Sequence, residues 1–443
     1  MSSILQCMDC GQQYPVNELI YTCTACGGLL DVRHDLDAMF RKITRDTFDA
    51  RLGSLDAPYN SGVWRYKELI YPDVSEALIV SKPEGNTNLY KVPRLAQWAG
   101  VDTLFLKHEG ENPTGSFKDR GMTGGVTQAQ VLGMTWVACA STGNTSASLA
   151  SYAAAAGIGC VVFFQNKQIA LGKVSQAIAY GATCIQVNAD FDRNLELVRA
   201  VSERLGIYVL NSVNPFRLEG QKSIMFETMQ QLKWQVPDWI VVPGGNLGNS
   251  SAFGKALTEL HCLGLIDRVP RIAVIQAEGA SPLYISYEER PDQLDYVRAL
   301  DELEPMKAET LATAIKIGNP VNFPKAVRAL RQTKGTVATV TDQEIMDAKA
   351  LIDAQGIGCE PASACSLAGV RKLVDQGIIR RGDSVVGILT GHLLKDPDAT
   401  IGYHSGTLEN ITAAHPNQMH QAEGDPDEIA EILLRTRDTA IHD

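Results

Sequence analysis

One lysine of this chain lies in a motif that suits nucleophilic chemistry. Residues 109–122 read EGENPTGSFKDRGM, and the Asn-Pro-Thr-Gly run predicts a turn. Ser116 can cap the helix that follows, which places Lys118 in the first helical turn. Because the N-terminal dipole of a helix repels cations, we expect the pKa of Lys118 to be lowered, and a neutral amine is what Schiff-base chemistry requires. Taken alone, the motif also fits a solvated lysine paired with Asp119.

Two loops that open predicted helices are candidate anion sites. Residues 141–145 (Ser-Thr-Gly-Asn-Thr) offer hydroxyls, an amide and backbone N–H groups that suit a carboxylate, although a plain N-cap turn is the alternative. Residues 243–249 (Pro-Gly-Gly-Asn-Leu-Gly-Asn) follow a strand, and their glycines would let backbone N–H groups close on a phosphate. Thr390 ends the last predicted strand, so it should point into the same cleft.

The ten cysteines divide into an N-terminal group of four and a scattered six. The four form two Cys-x2-Cys pairs, a spacing typical of a tetrahedral zinc site, with four free thiols or a redox pair as the alternative. Gly11 and Gly27 each follow a pair, where a tight turn favours positive φ. Because four protein ligands leave no open coordination position, we expect a structural zinc. The predicted ligands are Cys7, Cys10, Cys23 and Cys26.

The remaining cysteines and two histidines are given structural interpretations. We expect His34 at the surface and His392 to pack or to cap a turn. The six other cysteines should be buried as small hydrophobic residues. They are Cys139, Cys160, Cys184, Cys262, Cys359 and Cys365.

The hydrophobic pattern predicts the elements that must position these groups. Strand-like and helical runs alternate from residue 136, and again after residue 218, which indicates parallel sheets covered by helices. The strands are too many for one small sheet, so we predict an α/β fold with two open parallel-sheet domains and ligands at the carboxyl ends of strands. The predicted strands are residues 136–140, 158–165, 183–187, 207–210, 239–242, 271–276, 336–340 and 384–389. The predicted helices are residues 146–156, 171–180, 193–205, 221–232, 249–263, 343–354, 363–375 and 428–434.

Composition limits the class of protein. The chain has 443 residues, 45% of them hydrophobic, and a net charge of −11. An acidic protein of this kind is not expected to bind nucleic acid or an anionic membrane in general, although a local basic pocket is compatible with it. Residues 1–30 lack the apolar core of a signal peptide, so we expect a cytoplasmic protein.

Together the motifs resemble those of threonine synthases, a family of fold-type-II enzymes that use pyridoxal 5′-phosphate (PLP). The resemblance runs from about residue 84 to residue 403. It rests on the lysine motif and on four further stretches, which are residues 85–87 (Gly-Asn-Thr), 211–222 (NSVNPFRLEGQK), 317–320 (Ile-Gly-Asn-Pro) and 360–364 (Glu-Pro-Ala-Ser-Ala). On the basis of this resemblance, we divide the chain into a zinc-ribbon-like segment (1–35), a large PLP domain (36–125 and 216–404), a small α/β domain (126–215) and a C-terminal extension (405–443).

The resemblance also implies roles for individual residues. Lys118 would bond the cofactor and later move protons, Asn144 would bind the 3′-oxygen of the cofactor, and Thr390 would face its pyridine nitrogen. A neutral hydroxyl at that position need not keep the nitrogen protonated. The cofactor phosphate would lie on Gly244, Gly245, Asn246, Leu247 and Gly248. The substrate would contact Ser141, Thr142 and Thr145, with its phosphate near Asn211, Ser212 and Arg217.

The implied reaction converts O-phospho-L-homoserine and water to L-threonine and phosphate, by PLP-dependent γ-elimination and β-hydration. Lys118 is the base placed near the reacting carbons. A cysteate-synthase-like enzyme acting on O-phosphoserine is one alternative, and a zinc-ribbon binding protein on an inactive enzyme scaffold is another. By analogy with the family we expect a homodimer with a small phospho-amino acid as its ligand.

Overall fold

The computed structural model describes residues 3–141, 143–165, 171–188, 191–288 and 303–440. Within these ranges the strands form three sheets. The strands are β1 (Ser3–Cys7), β2 (Gln13–Pro15), β3 (Leu30–His34), β4 (Leu89–Lys91), β5 (Thr103–His108), β6 (Trp136–Ala140), β7 (Gly159–Gln165), β8 (Thr183–Val187), β9 (Tyr208–Val209), β10 (Trp239–Pro243), β11 (Arg271–Ala277), β12 (Thr336–Val340) and β13 (Ser384–Leu389).

The α-helices of the same ranges cover the sheets and form the short connections. They are α1 (Leu36–Met39), α2 (Arg45–Asp49), α3 (Lys67–Ile70), α4 (Pro93–Ala99), α5 (Lys118–Val131), α6 (Asn144–Ala156), α7 (Leu171–Ala179), α8 (Phe191–Leu205), α9 (Pro215–Gln231), α10 (Gly248–Cys262), α11 (Pro282–Glu288), α12 (Phe323–Gln332), α13 (Asp342–Ala354), α14 (Pro361–Asp375), α15 (Pro397–Ser405) and α16 (Pro426–Ala440).

Two of the sheets confirm the predicted α/β fold. The larger has the strand order β12-β11-β10-β13-β5-β4 and is parallel except for the pairing of β4 with β5. The smaller has the order β8-β7-β6-β9 and is parallel throughout. Since the strands of each parallel sheet point the same way, their carboxyl ends form a common edge where a ligand site can be built.

The core explains why the central strands are apolar on both faces. Every residue of β10 is buried. Ile240 and Val242 pack into the cluster that contains Phe253 of α10, whereas Trp239 and Val241 pack into the cluster on the opposite face. Each such side chain stabilises the fold by about 1.5–3 kcal/mol relative to an exposed position. A strand covered by helices on both sides therefore reads as a continuous hydrophobic run.

The third sheet is the small antiparallel N-terminal one, with the order β2-β1-β3. Gly11 and Gly27 have φ of 75° and 77°, which confirms the predicted turns after the cysteine pairs. Leu30 and Val32 of β3 are fully buried and belong to the core that also contains Phe253. The N-terminal sheet is thus packed onto the rest of the protein through β3.

Some local predictions were wrong. Helix α9 begins at Pro215, six residues before the predicted start, because the Asn214 side chain accepts a hydrogen bond from the Phe216 N–H (3.1 Å) and proline fits the first helical position. Cys262 is exposed at the end of α10, and Cys184 is only half-buried, whereas the other four scattered cysteines are buried. His34 is not a surface residue, since its side chain is enclosed beside Glu219.

No helix in the described ranges combines the length and the apolar character needed to cross a membrane. Helix α16, predicted only for residues 428–434, is longer than expected and lies on the surface.

Candidate functional site

A cavity of about 1380 Å³ gathers most of the predicted site residues. Gly244 lies outside its wall, where the backbone N–H donates to the Ile275 carbonyl at 2.6 Å. Thr142 lies outside the described residues. The predicted residues that line the cavity are Lys118, Ser141, Asn144, Thr145, Asn211, Ser212, Arg217, Gly245, Asn246, Leu247, Gly248 and Thr390.

The lysine turn is joined to the end of strand β13. The Phe117 N–H donates to the Thr390 carbonyl (3.0 Å), and the His392 N–H donates to the Gly115 carbonyl (2.9 Å). Gly115 has φ +85°, a conformation that side chains rarely adopt, and a Cβ there would lie 2.9 Å from Cε of Lys395. These contacts hold Lys118 and Thr390 on one side of the cavity.

Lys118 is the first residue of α5, which confirms its predicted place in the first turn. Phe117 and not Ser116 occupies the N-cap position, although the Ser116 hydroxyl accepts from the Lys118 N–H at 3.4 Å. Removal from water, together with the nearby Arg217 guanidinium, lowers the pKa of Lys118 to about 7, and the Glu360 carboxylate partly opposes this. The expected direction is therefore correct, and burial is its main cause.

Asp119 is not the partner of Lys118. Its carboxylate accepts hydrogen bonds from the Thr114 hydroxyl (2.6 Å), the Thr114 N–H (2.7 Å) and the Ser148 hydroxyl (2.5 Å). Burial raises the pKa of this carboxyl to about 6. The interpretation of Lys118 as a solvated lysine paired with its neighbour is thus wrong, and Asp119 instead fixes the turn that precedes α5.

Helices α5 and α9 pack closely because glycines remove side chains from their contact. A Cβ on Gly220 would lie 1.8 Å from the Arg120 carbonyl oxygen, so only glycine fits there. Arg217 precedes Gly220 by less than one turn. The close approach of the two helices therefore brings Arg217 to the cavity that Lys118 lines.

Arg217 is a buried cation without a carboxylate partner among the described residues. Its Nη1 donates to the Leu210 carbonyl at 3.0 Å, while its Nε has no hydrogen-bond partner in the described part of the chain. Burial lowers the pKa of the guanidinium to about 10. Because an unpaired buried charge is costly, the arrangement suits an anionic ligand that would complete the hydrogen bonds of Arg217.

Glu360 connects two of the predicted cofactor residues. Its Oε2 accepts from Nδ2 of Asn144 (3.0 Å), and its Oε1 accepts from the Thr390 hydroxyl (3.1 Å). The residue is 4% exposed and lines the cavity. Glu360 lies in the stretch 360–364 that carries the family resemblance, but no role was predicted for it, because nothing in the local sequence shows that Asn144 and Thr390 lie on either side of it.

The glycine-rich loop forms the N-terminal end of α10. Gly245 to Gly248 line the cavity, and Leu247 takes the left-handed conformation (φ 61°) as the residue before the helix. The first N–H groups of a helix have no acceptors within it, so this end of α10 can bind an anion. The Asn246 side chain accepts from the Val321 N–H (3.2 Å), which anchors the loop.

Three predicted substrate residues also support neighbouring segments. The Asn211 amide pairs with both backbone groups of Ala140, at 3.1 Å each, and so continues the pairing of β6 with β9 beyond the end of β9. The Ser212 carbonyl accepts from the Asn322 side chain at 3.2 Å. Ser141 accepts from the Gly143 N–H at 3.3 Å. These contacts fix the loops around the small-sheet side of the cavity.

The Gly-Asn-Thr loop is held by a buried carboxylate. Oε2 and Oε1 of Glu227 accept from the N–H groups of Asn86 (2.8 Å) and Thr87 (3.0 Å). Glu227 also pairs with Lys107 (2.5 Å) and Arg120 (2.8 Å), all with side chains that are at most 1% exposed. This network lies beneath the loop and was not expected from the sequence, because its members are far apart along the chain.

The four N-terminal cysteines converge as predicted. Their sulfur atoms all lie within 4.8 Å of one another, and three pairs are 3.5 Å apart. Tetrahedral zinc with Zn–S bonds of ~2.3 Å places its sulfurs ~3.8 Å apart, so the cluster has the dimensions of a zinc site. The Asp9 N–H donates to the Cys7 sulfur at 3.4 Å.

Comparisons with known proteins agree with the geometry. Residues 80–391 match the family described as "Pyridoxal-phosphate dependent enzyme". The chain is 48% identical over 397 residues to a threonine synthase of Methanocaldococcus jannaschii, covering 89% of this chain and 94% of that protein. It is 41% identical over 416 residues to the chloroplastic threonine synthase 2 of Arabidopsis thaliana, covering 92% and 79%.

Solved structures support the fold alone. Maize serine racemase aligns with a TM-score of 0.60 at 20% identity, covering 75% of this chain and 92% of that one. Diaminopropionate ammonia lyase from Escherichia coli aligns with a TM-score of 0.62 at 14% identity, covering 74% and 91%. The extent and level of identity with the curated relatives carry the closer assignment, and the chain belongs to the threonine synthase family of pyridoxal-phosphate-dependent enzymes.

Proposed function

We propose that this enzyme converts O-phospho-L-homoserine and water to L-threonine and phosphate. The observation that carries the proposal is the joint placement of Lys118, Arg217 and Thr390 around one cavity, in a chain with threonine synthases as extensive relatives. Bound PLP would supply an electron sink that stabilises negative charge on the substrate carbons. The residues of the chain would supply binding, orientation and proton transfer.

Lys118 is the residue that we assign to hold the aldehyde of the cofactor and to move protons at the substrate Cα and Cβ. Its lowered pKa, about 7, makes a neutral amine available near physiological pH. The loop from Gly245 to Gly248 would hold the cofactor phosphate at the N-terminus of α10, whereas the Gly244 N–H is already bonded to the Ile275 carbonyl. Asn144 and Thr390 would orient the ring from opposite sides of Glu360.

Arg217 is the residue that we assign to the substrate phosphate, with Asn211 and Ser212 at its side. A guanidinium with an unpartnered Nε can donate two parallel hydrogen bonds to phosphate oxygens. Ser141, Thr142 and Thr145 would bind the substrate carboxylate from the start of α6. In this assignment, Arg217 is the cation beside the phosphate that leaves Cγ, and Lys118 is the base near the carbons that exchange protons.

We further propose that the four cysteines hold a structural zinc ion. Two of them, Cys7 and Cys23, are buried, and the Tyr14 hydroxyl lies 3.1 Å from the Cys23 sulfur, so the cluster is built into the N-terminal sheet. The cytoplasmic location and the homodimer remain predictions from the sequence. Sedimentation of the purified protein tests the dimer, and cell fractionation tests the location.

A two-substrate assay tests the proposed reaction. Purified protein with PLP is incubated with O-phospho-L-homoserine, and in parallel with O-phospho-L-serine plus sulfite. Threonine and phosphate from the first substrate, abolished by Lys118→Ala, are expected. Turnover of phosphoserine alone would favour the cysteate-synthase-like alternative. A protein that binds no PLP would favour the inactive scaffold.

A further inference from the structure

The groups around the Thr390 hydroxyl determine which of its hydrogen bonds it donates and which it accepts. The Ser363 oxygen accepts from the backbone N–H groups of Thr390 (2.8 Å) and Gly391 (3.0 Å). Since a serine hydroxyl has two lone pairs, both are used, and its own proton must be donated. The Thr390 oxygen at 2.9 Å is a closer acceptor than the Gly391 carbonyl at 3.4 Å. Ser363 therefore donates to Thr390.

The next hydrogen bond of this series joins the Thr390 hydroxyl to the Glu360 carboxylate. The Thr390 oxygen lies 3.1 Å from Oε1 of Glu360, and Nδ2 of Asn144, which can only donate, lies 3.0 Å from Oε2. A carboxylate accepts both bonds. The Thr390 oxygen thus accepts once from Ser363 and donates once to Glu360, which leaves one lone pair for the cavity.

A lone pair facing the cavity requires a donor on the ligand. If Thr390 faces the pyridine nitrogen, as the proposed function requires, only a nitrogen that carries a proton can complete this arrangement. We propose that the Glu360 carboxylate, acting through the Thr390 hydroxyl, holds a proton on the ring nitrogen of the bound cofactor. This inference rests on the proposed function and makes Glu360 a positioning residue for it. It also revises the sequence-based expectation that a threonine there leaves the nitrogen free to be neutral.

The surroundings of Glu360 bear on its charge. Burial has the largest effect and raises the pKa of the Glu360 carboxyl, and the hydrogen bonds from Asn144 and Thr390 and the nearby Lys395 and Lys118 only partly offset it. The two lysines face the carboxylate from different segments, one after β13 and one at the start of α5. In the holoenzyme, where Lys118 is bonded to the cofactor, a ring cation would place a positive charge one hydroxyl away from Glu360, which favours the ionised carboxylate.

Replacing Glu360 by glutamine reverses the donor and acceptor roles along this series of hydrogen bonds. The amide oxygen of Gln would have to face Nδ2 of Asn144, so the amide NH2 would face Thr390. The Thr390 oxygen would then accept from Ser363 and from the amide, and its proton would turn into the cavity. A donor at that position pairs with a neutral ring nitrogen.

The test uses holoenzyme reconstituted with PLP that carries 15N in the ring, read by the 15N chemical shift. The wild type is expected in the range of a protonated pyridine, and Glu360→Gln in the range of a neutral pyridine with full cofactor content. Glu111→Gln is the matched control, because Glu111 also lines the cavity but bonds Asn88 and Tyr90. Its ring signal should equal that of the wild type.

Two further variants keep the inference testable if Glu360→Gln fails to fold. Thr390→Ser keeps the hydroxyl and should retain the protonated signal, whereas Thr390→Val should lose it. A neutral ring nitrogen in wild type, or an unchanged signal in Glu360→Gln, would overturn the inference. If the wild type makes threonine while its pyridine nitrogen is neutral, this inference is wrong and the proposed function stands. If the wild type binds no PLP, the proposed function is contradicted as well.

Discussion

The imidazole Nε2 of His34 lies 2.8 Å from Oε2 of Glu219, and both side chains are almost completely excluded from solvent. Glu219 also pairs with Lys222 (2.6 Å) and Lys255 (2.5 Å), and it follows Arg217 by two residues on α9. The pair therefore attaches the N-terminal sheet to the helix that carries the proposed phosphate-binding arginine. Helix α9 therefore both stabilises the N-terminal sheet, through Glu219, and positions Arg217 in the site.

Replacing Glu219 by glutamine should destabilise the protein. Removing one charge from a buried cluster leaves the ammonium groups of Lys222 and Lys255 undercompensated, which costs about 3 kcal/mol in the free energy of unfolding. Urea denaturation of the holoenzyme measures it. Glu431→Gln, which breaks an exposed pair with Arg435, should change the free energy by less than ~0.5 kcal/mol. Equal stability of the two variants would contradict the role given to Glu219.

Replacing Arg217 by lysine should raise KM for phosphohomoserine while the absorbance of the bound cofactor stays unchanged. Charge-assisted hydrogen bonds contribute about 1.5–3 kcal/mol, which corresponds to a rise of roughly 10- to 150-fold. Steady-state kinetics measures it. Arg381→Lys, in an exposed pair with Asp102, is the control and should leave KM unaltered. A normal KM in Arg217→Lys would contradict the assignment of Arg217 to the substrate phosphate.

The lowered pKa of Lys118 predicts how cofactor uptake depends on pH. The neutral amine is the reactive form, so the rate at which apoenzyme binds PLP should rise as pH increases through about 7 and then level off. Stopped-flow absorbance measures the rate. Reaction of PLP with N-acetyl-lysine, whose pKa is ordinary, should instead continue to rise toward pH 10. A protein profile that follows the free lysine would show that the amine is not perturbed.

Replacing Cys7 by serine should remove the metal without removing the cofactor site. We expect zinc content to fall from about one ion per chain to near zero and Tm to fall on the order of 5 °C, because the N-terminal sheet loses its cross-link. Cofactor absorbance of the folded fraction should persist. Cys262→Ser, an exposed thiol far along the chain, is the control for zinc content. Unchanged zinc in Cys7→Ser would reject the site.

Patterns that repeat along the chain could be predicted from the sequence, whereas contacts between distant segments could not. The buried run at 239–242 and the Cys-x2-Cys pairs carry their own local signals, and the structure has them where expected. The enclosure of His34 depends on Glu219, which is 185 residues away, and no local pattern indicates it. The link from Asn144 through Glu360 to Thr390 likewise joins three segments that only the fold brings together.

Short or edge elements were the other source of error. Strand β4 was not predicted; it spans three residues and, within the described ranges, pairs with β5 alone, so it has no strong hydrophobic period. The early start of α9 depends on the cap from Asn214, and the Asn-Pro pair at 214–215 is the local sequence signal for it. Such boundaries follow from single hydrogen bonds and not from the average hydrophobicity of a window.

The most direct test of the proposed reaction is product analysis in water enriched with 18O. If phosphate leaves by cleavage of the Cγ–O bond and water then adds at Cβ, threonine should carry one 18O atom and the released phosphate none. Mass spectrometry of both products from O-phospho-L-homoserine measures this. Unlabelled homoserine with 18O in the phosphate, the outcome of simple phosphatase cleavage, would contradict the account.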